Sequence, residues 1–133
     1  QEKVGRTYHQ EKMIKFCNKL GIKITAFYLL CLEEDTLETI KNTVRYAIKL
    51  NTPLARFAIA TPYPGTGFYQ KLENESRILT RDYENYTQFN LVYKHDNVSP
   101  LQAKKLLDHA YRKYYLRPQY LYKMVKWKMK MYS

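Results

Sequence analysis

Two short loops hold the residues that are best placed for chemistry. Residues 61–66 read TPYPGT and follow the apolar run LARFAIA, while residues 31–36 read CLEEDT and follow the apolar run ITAFYLL. Prolines on both sides of Tyr63 restrict the backbone, and Gly65 allows a sharp turn. Such a backbone can present N–H and C=O groups to a flat ligand with little loss of entropy on binding. A rigid strand–helix connector without a ligand explains the same residues, so both interpretations stay open.

The other reactive residue types form no recognisable site. Cys17 and Cys31 are too few for a disulfide framework and lie in apolar surroundings, which is typical of a reducing compartment. We interpret Cys31 as a small buried residue rather than a reactive thiol. The three histidines lack the spacing of a zinc site, and the acids at 33–35 are expected at the start of a helix. The sequence therefore predicts no metal site.

Helical and strand patterns alternate around the two loops. The pattern predicts helices over 7–20, after Asp35 and over 67–75, with strands over 22–32 and 54–60. Asp35 and Glu38 have the spacing of a capping box, and the continuous apolar run before them predicts a strand buried on both faces. Strands separated by helices form parallel sheets, and ligands bind such sheets at the carboxyl ends of the strands. Both loops should therefore lie at one rim.

The C-terminal part of the chain has a different pattern. Residues 76–98 are irregular and aromatic, with room for one short strand. Ser99 and Pro100 predict the start of a helix whose buried side carries several tyrosines, and Pro118 predicts the start of another.

Most of the net charge of +11 lies in this part, because residues 100–133 hold nine basic residues and one acid. Lysines alternate there with Tyr120, Tyr122 and Trp127. Three interpretations stay open: a solvated helix face that packs on the sheet, peripheral contact with an anionic membrane, or nucleic-acid binding. No run is apolar enough to cross a bilayer and no signal peptide is evident, so we expect a cytoplasmic protein.

The order of the motifs resembles the later half of the radical S-adenosylmethionine core. The resemblance is carried by residues 21–72, which include both loops, and by residues 99–126, which are similar to the helical extension of the subgroup with an upstream cobalamin-binding domain. It implies an α/β fold in which residues 1–75 form a partial (β/α) barrel fragment with parallel strands. Residues 76–133 are then a mostly helical C-terminal extension.

The resemblance also implies a cofactor site. In this family a 4Fe–4S cluster on a Cys-x-x-x-Cys-x-x-Cys loop cleaves S-adenosylmethionine reductively to a 5′-deoxyadenosyl radical. The two loops would contribute to cofactor binding through Leu30, Cys31, Ala60, Thr61, Pro62 and Tyr63. The family usually has glycine at the position of Cys31 and proline at the position of Glu33. We therefore expect CLEEDT to contact the cofactor less closely than TPYPGT does.

The three-cysteine loop is absent from the 133 residues, so we expect this chain alone to be inactive. Its implied partner is the missing N-terminal half of the same enzyme, whose S-adenosylmethionine and 4Fe–4S cluster would act on an unidentified small molecule. Cobalamin-dependent methyl transfer or rearrangement is the implied reaction. The alternative is a non-catalytic basic α/β module that binds an anionic membrane or nucleic acid through its C-terminal helices.

Overall fold

The structure, a computed structural model, describes residues 2–132, with only the backbone described for residues 2–7. Helices and strands alternate as the sequence predicts, and the α/β class is confirmed. The elements are α1 (Glu2–Lys19), β1 (Thr25–Leu30), α2 (Leu37–Leu50), β2 (Leu54–Ile59), α3 (Gly67–Asn74), a 3₁₀ turn (Tyr83–Asn85), α4 (Pro100–Tyr115) and α5 (Pro118–Tyr132).

The two strands are parallel neighbours, which confirms the predicted pairing. Phe27 lies beside Arg56 and Leu30 lies beside Ile59 in the register of the sheet. Within the described residues the sheet has these two strands and no more. The structure therefore shows a βαβ unit, while the partial barrel stays a prediction.

The first turn of α2 differs by one residue from the predicted cap. The cap is Thr36, whose hydroxyl accepts the Thr39 N–H at 3.2 Å while the Thr39 hydroxyl accepts the Thr36 N–H at 2.8 Å. Asp35 instead accepts the Leu32 N–H at 2.9 Å, so its carboxylate closes the loop before the helix. The helix ends as predicted at Asn51, which adopts the left-handed conformation with φ 52°.

One face of the sheet is covered by helices and the other is not. Helices α2 and α4 pack on the covered face, where the buried core includes Leu30, Ile40, Phe57, Ile59, Leu107 and Tyr114. The opposite face, called the open face, carries the exposed residues Thr25, Phe27, Leu29, Leu54 and Arg56, together with the small residue Ala58, which is buried beside Leu29. The prediction that β1 is buried on both faces is wrong for this structure, because Phe27 is 50% exposed and Leu29 is 44% exposed.

Tyrosine hydroxyls close the outer edge of β2. The Tyr111 hydroxyl accepts the Phe57 N–H at 3.1 Å and donates to the Phe57 carbonyl oxygen at 2.8 Å. Tyr115 makes the same pair of bonds with Ala55, at 3.0 and 2.5 Å. Since a hydroxyl both donates and accepts, one tyrosine satisfies both backbone groups of a strand residue. Helix α4 thereby takes the place of a further strand at this edge.

Residues 76–98 complete the same edge near the end of β2. The Ile59 N–H donates to the Gln88 carbonyl oxygen at 2.8 Å. The short strand that the sequence allows here is reduced to one antiparallel bridge between Ile78 and Tyr93. Single hydrogen bonds, rather than a ladder between paired strands, hold this segment against the sheet.

Candidate functional site

The two predicted loops meet at the carboxyl end of the sheet. The Ala60 N–H donates to the Leu30 carbonyl oxygen at 2.9 Å, so the last ladder bond joins the starts of both loops. Leu30 and Ala60 are buried beneath this junction. We call residues 30–36 and 60–66 together the rim. The rim is where parallel α/β sheets hold their ligands.

The TPYPGT loop is held in one shape by its own residues. The Thr66 hydroxyl donates to the Tyr63 carbonyl oxygen at 2.6 Å and accepts the Tyr69 N–H at 3.2 Å, so it closes the turn and caps α3. Gly65 has φ +89°, a conformation that favours glycine. Pro62 is buried, whereas Tyr63 is 43% exposed. The loop therefore presents Tyr63 to solvent on a fixed backbone.

Thr61 uses its hydroxyl to bind the protein rather than to face outward. Its single proton is shared between the Ile59 carbonyl oxygen at 3.0 Å and the Thr87 carbonyl oxygen at 3.1 Å. This places Thr61 in the hydrogen bonding that closes the edge of β2. A ligand at this part of the rim would meet backbone and ring surface rather than a free hydroxyl.

Cys31 adopts a backbone conformation that favours glycine, the residue that the resemblance implies at this position. Its φ is +63°, in the left-handed region, and its carbonyl oxygen accepts the Tyr93 hydroxyl at 2.6 Å. The side chain is fully buried, and burial, with a smaller effect of Asp35, raises the pKa of the thiol to about 12. The thiol is therefore protonated near neutral pH, which supports the interpretation of Cys31 as an unreactive buried residue.

A distant segment braces the CLEEDT loop. His95 donates from Nε2 to the Leu32 carbonyl oxygen at 2.6 Å, while its Nδ1 accepts the Asn97 N–H at 3.0 Å. These partners assign the neutral tautomer with the proton on Nε2. Asn97 also donates from its side chain to the Asp35 carbonyl oxygen at 3.0 Å. Sequence reasoning missed these residues because no local spacing links positions more than 60 residues apart.

Glu33 ties the same loop to the elements behind it. Its carboxylate pairs with Lys71 at 2.7 Å and lies 3.6 Å from Arg77. The hydrogen bond that the Lys71 ammonium donates to the Glu33 carboxylate is the main cause of the raised pKa of Lys71. Arg77 in turn pairs with Glu75 at 3.0 Å and donates to the Lys94 carbonyl oxygen at 2.9 Å. The resemblance implies a proline at this position, whereas this chain has a carboxylate that forms ion pairs with Lys71 and Arg77.

The rim does not fit an iron–sulfur cluster. Among the described residues no group of three His, Cys, Asp or Glu side chains is arranged to hold a metal ion. Its one thiol, on Cys31, is buried and protonated, whereas clusters need several thiolates. Backbone groups and the exposed ring of Tyr63 instead suit a flat ligand.

Other features of the surface lie away from the rim. A cavity of about 280 Å³ between α2 and α4 is lined by residues such as Ile40 and His109, and one of about 400 Å³ lies beside Asn97 and Ser99. Neither is lined by the six predicted cofactor-binding residues. In the described part of the chain, no helix has both the length and the apolar character to span a membrane.

Comparison with known proteins identifies relatives of this βαβ unit and its rim. No protein-family model matches the sequence. It is 34% identical over 110 residues to an uncharacterized methyltransferase of Pyrococcus horikoshii, across 83% of this chain and 24% of that protein. It is 36% identical over 90 residues to the bacteriochlorophyllide d C-8(2)-methyltransferase of Chlorobaculum tepidum, across 68% of this chain and 20% of that protein.

A third relative has a different named activity. The anaerobic magnesium-protoporphyrin IX monomethyl ester cyclase of Rubrivivax gelatinosus is 26% identical over 114 residues, across 84% of this chain and 20% of its own length. These relatives confirm the resemblance seen in the sequence, and the chain belongs to the radical S-adenosylmethionine family. The chain spans about a quarter or less of the length of these curated relatives.

Proposed function

We propose that this chain forms the later half of the barrel of a radical S-adenosylmethionine enzyme, with its rim facing the adenosyl part of the cofactor. The observation that carries the proposal is the junction of the two loops through Leu30 and Ala60, at the end of a sheet whose other face is open. Parallel barrels bind their ligands at this end.

The residues of the rim have distinct roles in the proposal. Ala60, Thr61 and Pro62 form a fixed wall beside the adenine, and Tyr63 shields it from water. Leu30 and Cys31 have fully buried side chains, so in this proposal they contribute backbone groups from the neighbouring strand. When bound, the cofactor with a reduced 4Fe–4S cluster supplies a 5′-deoxyadenosyl radical. The cluster ligands come from residues outside this chain, because those of the rim do not fit a cluster.

The open face forms the interior of the barrel in this proposal. Phe27, Leu29 and Leu54 put apolar surface beneath the rim, where a reactive radical requires protection from water. Arg56 lies beside Phe27 in the register and adds a positive charge to the same face. Strands outside this chain cover these side chains and pair with the outer edge of β1.

The reaction proposed for the whole enzyme follows the names of the relatives. Two are methyltransferases and one is a cyclase, which favours methyl transfer or a rearrangement that forms a ring. A cobalamin bound outside these residues is the proposed methyl carrier.

The test uses the full-length protein that contains these residues, purified and loaded with iron and sulfide without oxygen. With dithionite as reductant, we expect 5′-deoxyadenosine to form from S-adenosylmethionine. Tyr63→Ala should raise the KM for S-adenosylmethionine about fivefold or more, since stacking or shielding of a base is worth about 1–3 kcal/mol. Tyr122→Ala, at an exposed tyrosine of α5, is the matched control and should leave the KM unchanged.

Two results would overturn this proposal. One is a cluster-loaded protein that releases no 5′-deoxyadenosine. The other is a Tyr63→Ala variant whose KM matches that of Tyr122→Ala.

A further inference from the structure

One side of helix α5 packs against the rest of the molecule. Tyr120 is buried and donates to the Pro53 carbonyl oxygen at 2.8 Å. The Lys23 ammonium lies 3.5 Å from the centre of the Trp127 ring, which holds the helix near the start of β1. The 3.6-residue period places Met124 on this same side. These three side chains lie on one arc of the surface of α5.

The opposite arc is apolar and open to water. With the helical period, its members lie next to one another, and their exposed fractions range from 48% to 82%: Leu121, Tyr122, Val125, Met129 and Tyr132. We call these five residues the outer arc. A packed helix of a soluble protein normally carries polar residues on the side away from its partner. The composition of the outer arc therefore indicates a contact that the described residues do not supply.

Lysines border the outer arc on both sides. By the helical period, Lys126 lies next to Tyr122 and Lys128 lies next to Leu121, while Lys123 and Lys130 follow further around. Pro118–Tyr132 contains no acidic residue. Flexible lysine stems can extend sideways so that their charges reach an anionic surface while the arc between them is buried.

We propose that α5 docks on an anionic membrane surface, lying flat with the outer arc at the boundary of the acyl chains and the lysines among the lipid headgroups. This goes beyond the cofactor site, because α5 lies at the other end of the strands from the rim. A second copy suits the arc poorly, since each chain carries a net charge of +11 and docking would bring the lysine rows together. Nucleic acid suits it less well than a membrane, since three of its five side chains, Leu121, Val125 and Met129, offer no ring for a base to stack on.

The test measures flotation of the full chain with lipid vesicles. Vesicles of phosphatidylcholine alone are compared with vesicles that contain about 30% phosphatidylserine, at low and high salt. We expect binding to the anionic vesicles only, weakening as salt rises. The double variant Val125→Glu/Met129→Glu should abolish binding, and Lys126→Glu/Lys128→Glu should weaken it about tenfold or more.

Lys104→Glu/Lys105→Glu on α4 is the matched control, because it makes the same charge change at two exposed lysines of another helix. It should retain binding within about threefold. All substituted side chains are exposed, so the far-ultraviolet circular dichroism and Tm should stay unchanged.

Four results would overturn the proposal. The first is the absence of flotation at low salt. The second is an equal loss in the α4 control, which would indicate unspecific charge attraction. The third is a dimer in sedimentation velocity that Val125→Glu/Met129→Glu dissociates, without vesicle binding. The fourth is a full-length protein that ignores vesicles to which this chain binds, which would show that other residues cover the arc.

Discussion

The two outer edges of the sheet are finished in different ways. Along β2, the outward N–H groups of Ala55, Phe57 and Ile59 all have partners, supplied by two tyrosine hydroxyls and one carbonyl oxygen. Along β1, no strand of the described residues pairs with the outer edge. An unprotected edge is a place where another strand adds. Within the described residues the sheet therefore ends at the closed edge of β2, while its edge at β1 can accept a further strand.

The two faces of the sheet also differ, because one is covered within this chain and the other is exposed. Phe57 of β2 is buried beneath α2 and α4, whereas Phe27 of β1 points from the open face. Under our proposal the open face is covered by strands outside this chain. Substitutions on the two faces of this chain should therefore differ in their energetic effect.

The largest expected effect comes from the covered face. Phe57→Ala removes a ring that contacts Tyr28, Tyr111 and Tyr114, and should lower the free energy of unfolding by about 3–5 kcal/mol. Phe27→Ala, the matched change on the open face, should lower it by less than about 1 kcal/mol. Urea unfolding followed by circular dichroism measures both. Equal losses would mean that the open face is covered in this chain as well.

The closed edge of β2 should be the next most sensitive feature. Tyr111→Phe and Tyr115→Phe each keep the ring but leave one N–H and one C=O of β2 without a partner. Each should cost about 1–3 kcal/mol of stability. Tyr122→Phe, at an exposed tyrosine, should change stability by less than about 0.5 kcal/mol. If all three variants unfold at the same urea concentration, water replaces the hydroxyls and the edge is not closed by them.

Some parts of this arrangement can be predicted from the sequence and others cannot. The helices, the parallel strands and the place of TPYPGT at their ends follow from local periodicity and turn residues. The tyrosine spacing of α4 shows that the side chains share a face, but not that their hydroxyls reach β2. The bracing of Cys31 and Leu32 by Tyr93 and His95 depends on contacts across more than 60 residues, which no local pattern contains.

The cap of α2 shows the limit at short range. Asp35 and Thr36 are adjacent and are both good capping residues, so composition cannot decide between them. The structure chooses Thr36 because the Asp35 carboxylate is occupied by the Leu32 N–H and the Thr39 hydroxyl. The open face could not be predicted either. An apolar strand has the same sequence pattern whether the residues that pack on its second face belong to the same chain or to another.

A smaller effect is expected in the rim. Gly65→Ala places a side chain at φ +89° and should cost about 1–2 kcal/mol through backbone strain alone, since nothing lies within 4 Å of the added carbon. Gly67→Ala is the matched control, because Gly67 is the first residue of α3 and also has open space around it. It should be neutral or slightly stabilising. A neutral Gly65→Ala would show that the TPYPGT backbone is not fixed.

The smallest effect near neutral pH concerns two weakly acidic groups of the covered face, the thiol of Cys31 and the hydroxyl of Tyr28. Burial raises the pKa of Cys31 to about 12 and, more than nearby tyrosines do, that of Tyr28 to about 12. Because folding favours their protonated forms, their stabilising contribution is complete below the unfolded pKa values, 9.0 for Cys31 and 10.0 for Tyr28, and is lost as the pH rises toward 12.

The contribution of these two groups to the free energy of unfolding, measured with urea, should therefore stay constant between pH 6 and about 8 and decline above about 9. The decline caused by Cys31 begins at a lower pH than the decline caused by Tyr28, and Cys31→Ala should remove it. In the native chain at pH 8, a thiol reagent should modify the partly exposed Cys17 and leave Cys31 unmodified. Rapid modification of Cys31 would contradict its burial.

We propose that this chain completes a radical S-adenosylmethionine barrel whose earlier strands lie in residues outside it. The most direct measurement is the coding sequence that precedes Gln1 in its source DNA. We expect a Cys-x-x-x-Cys-x-x-Cys motif within the preceding few hundred codons, directly after an apolar strand. A preceding reading frame of that length without such a motif would contradict it.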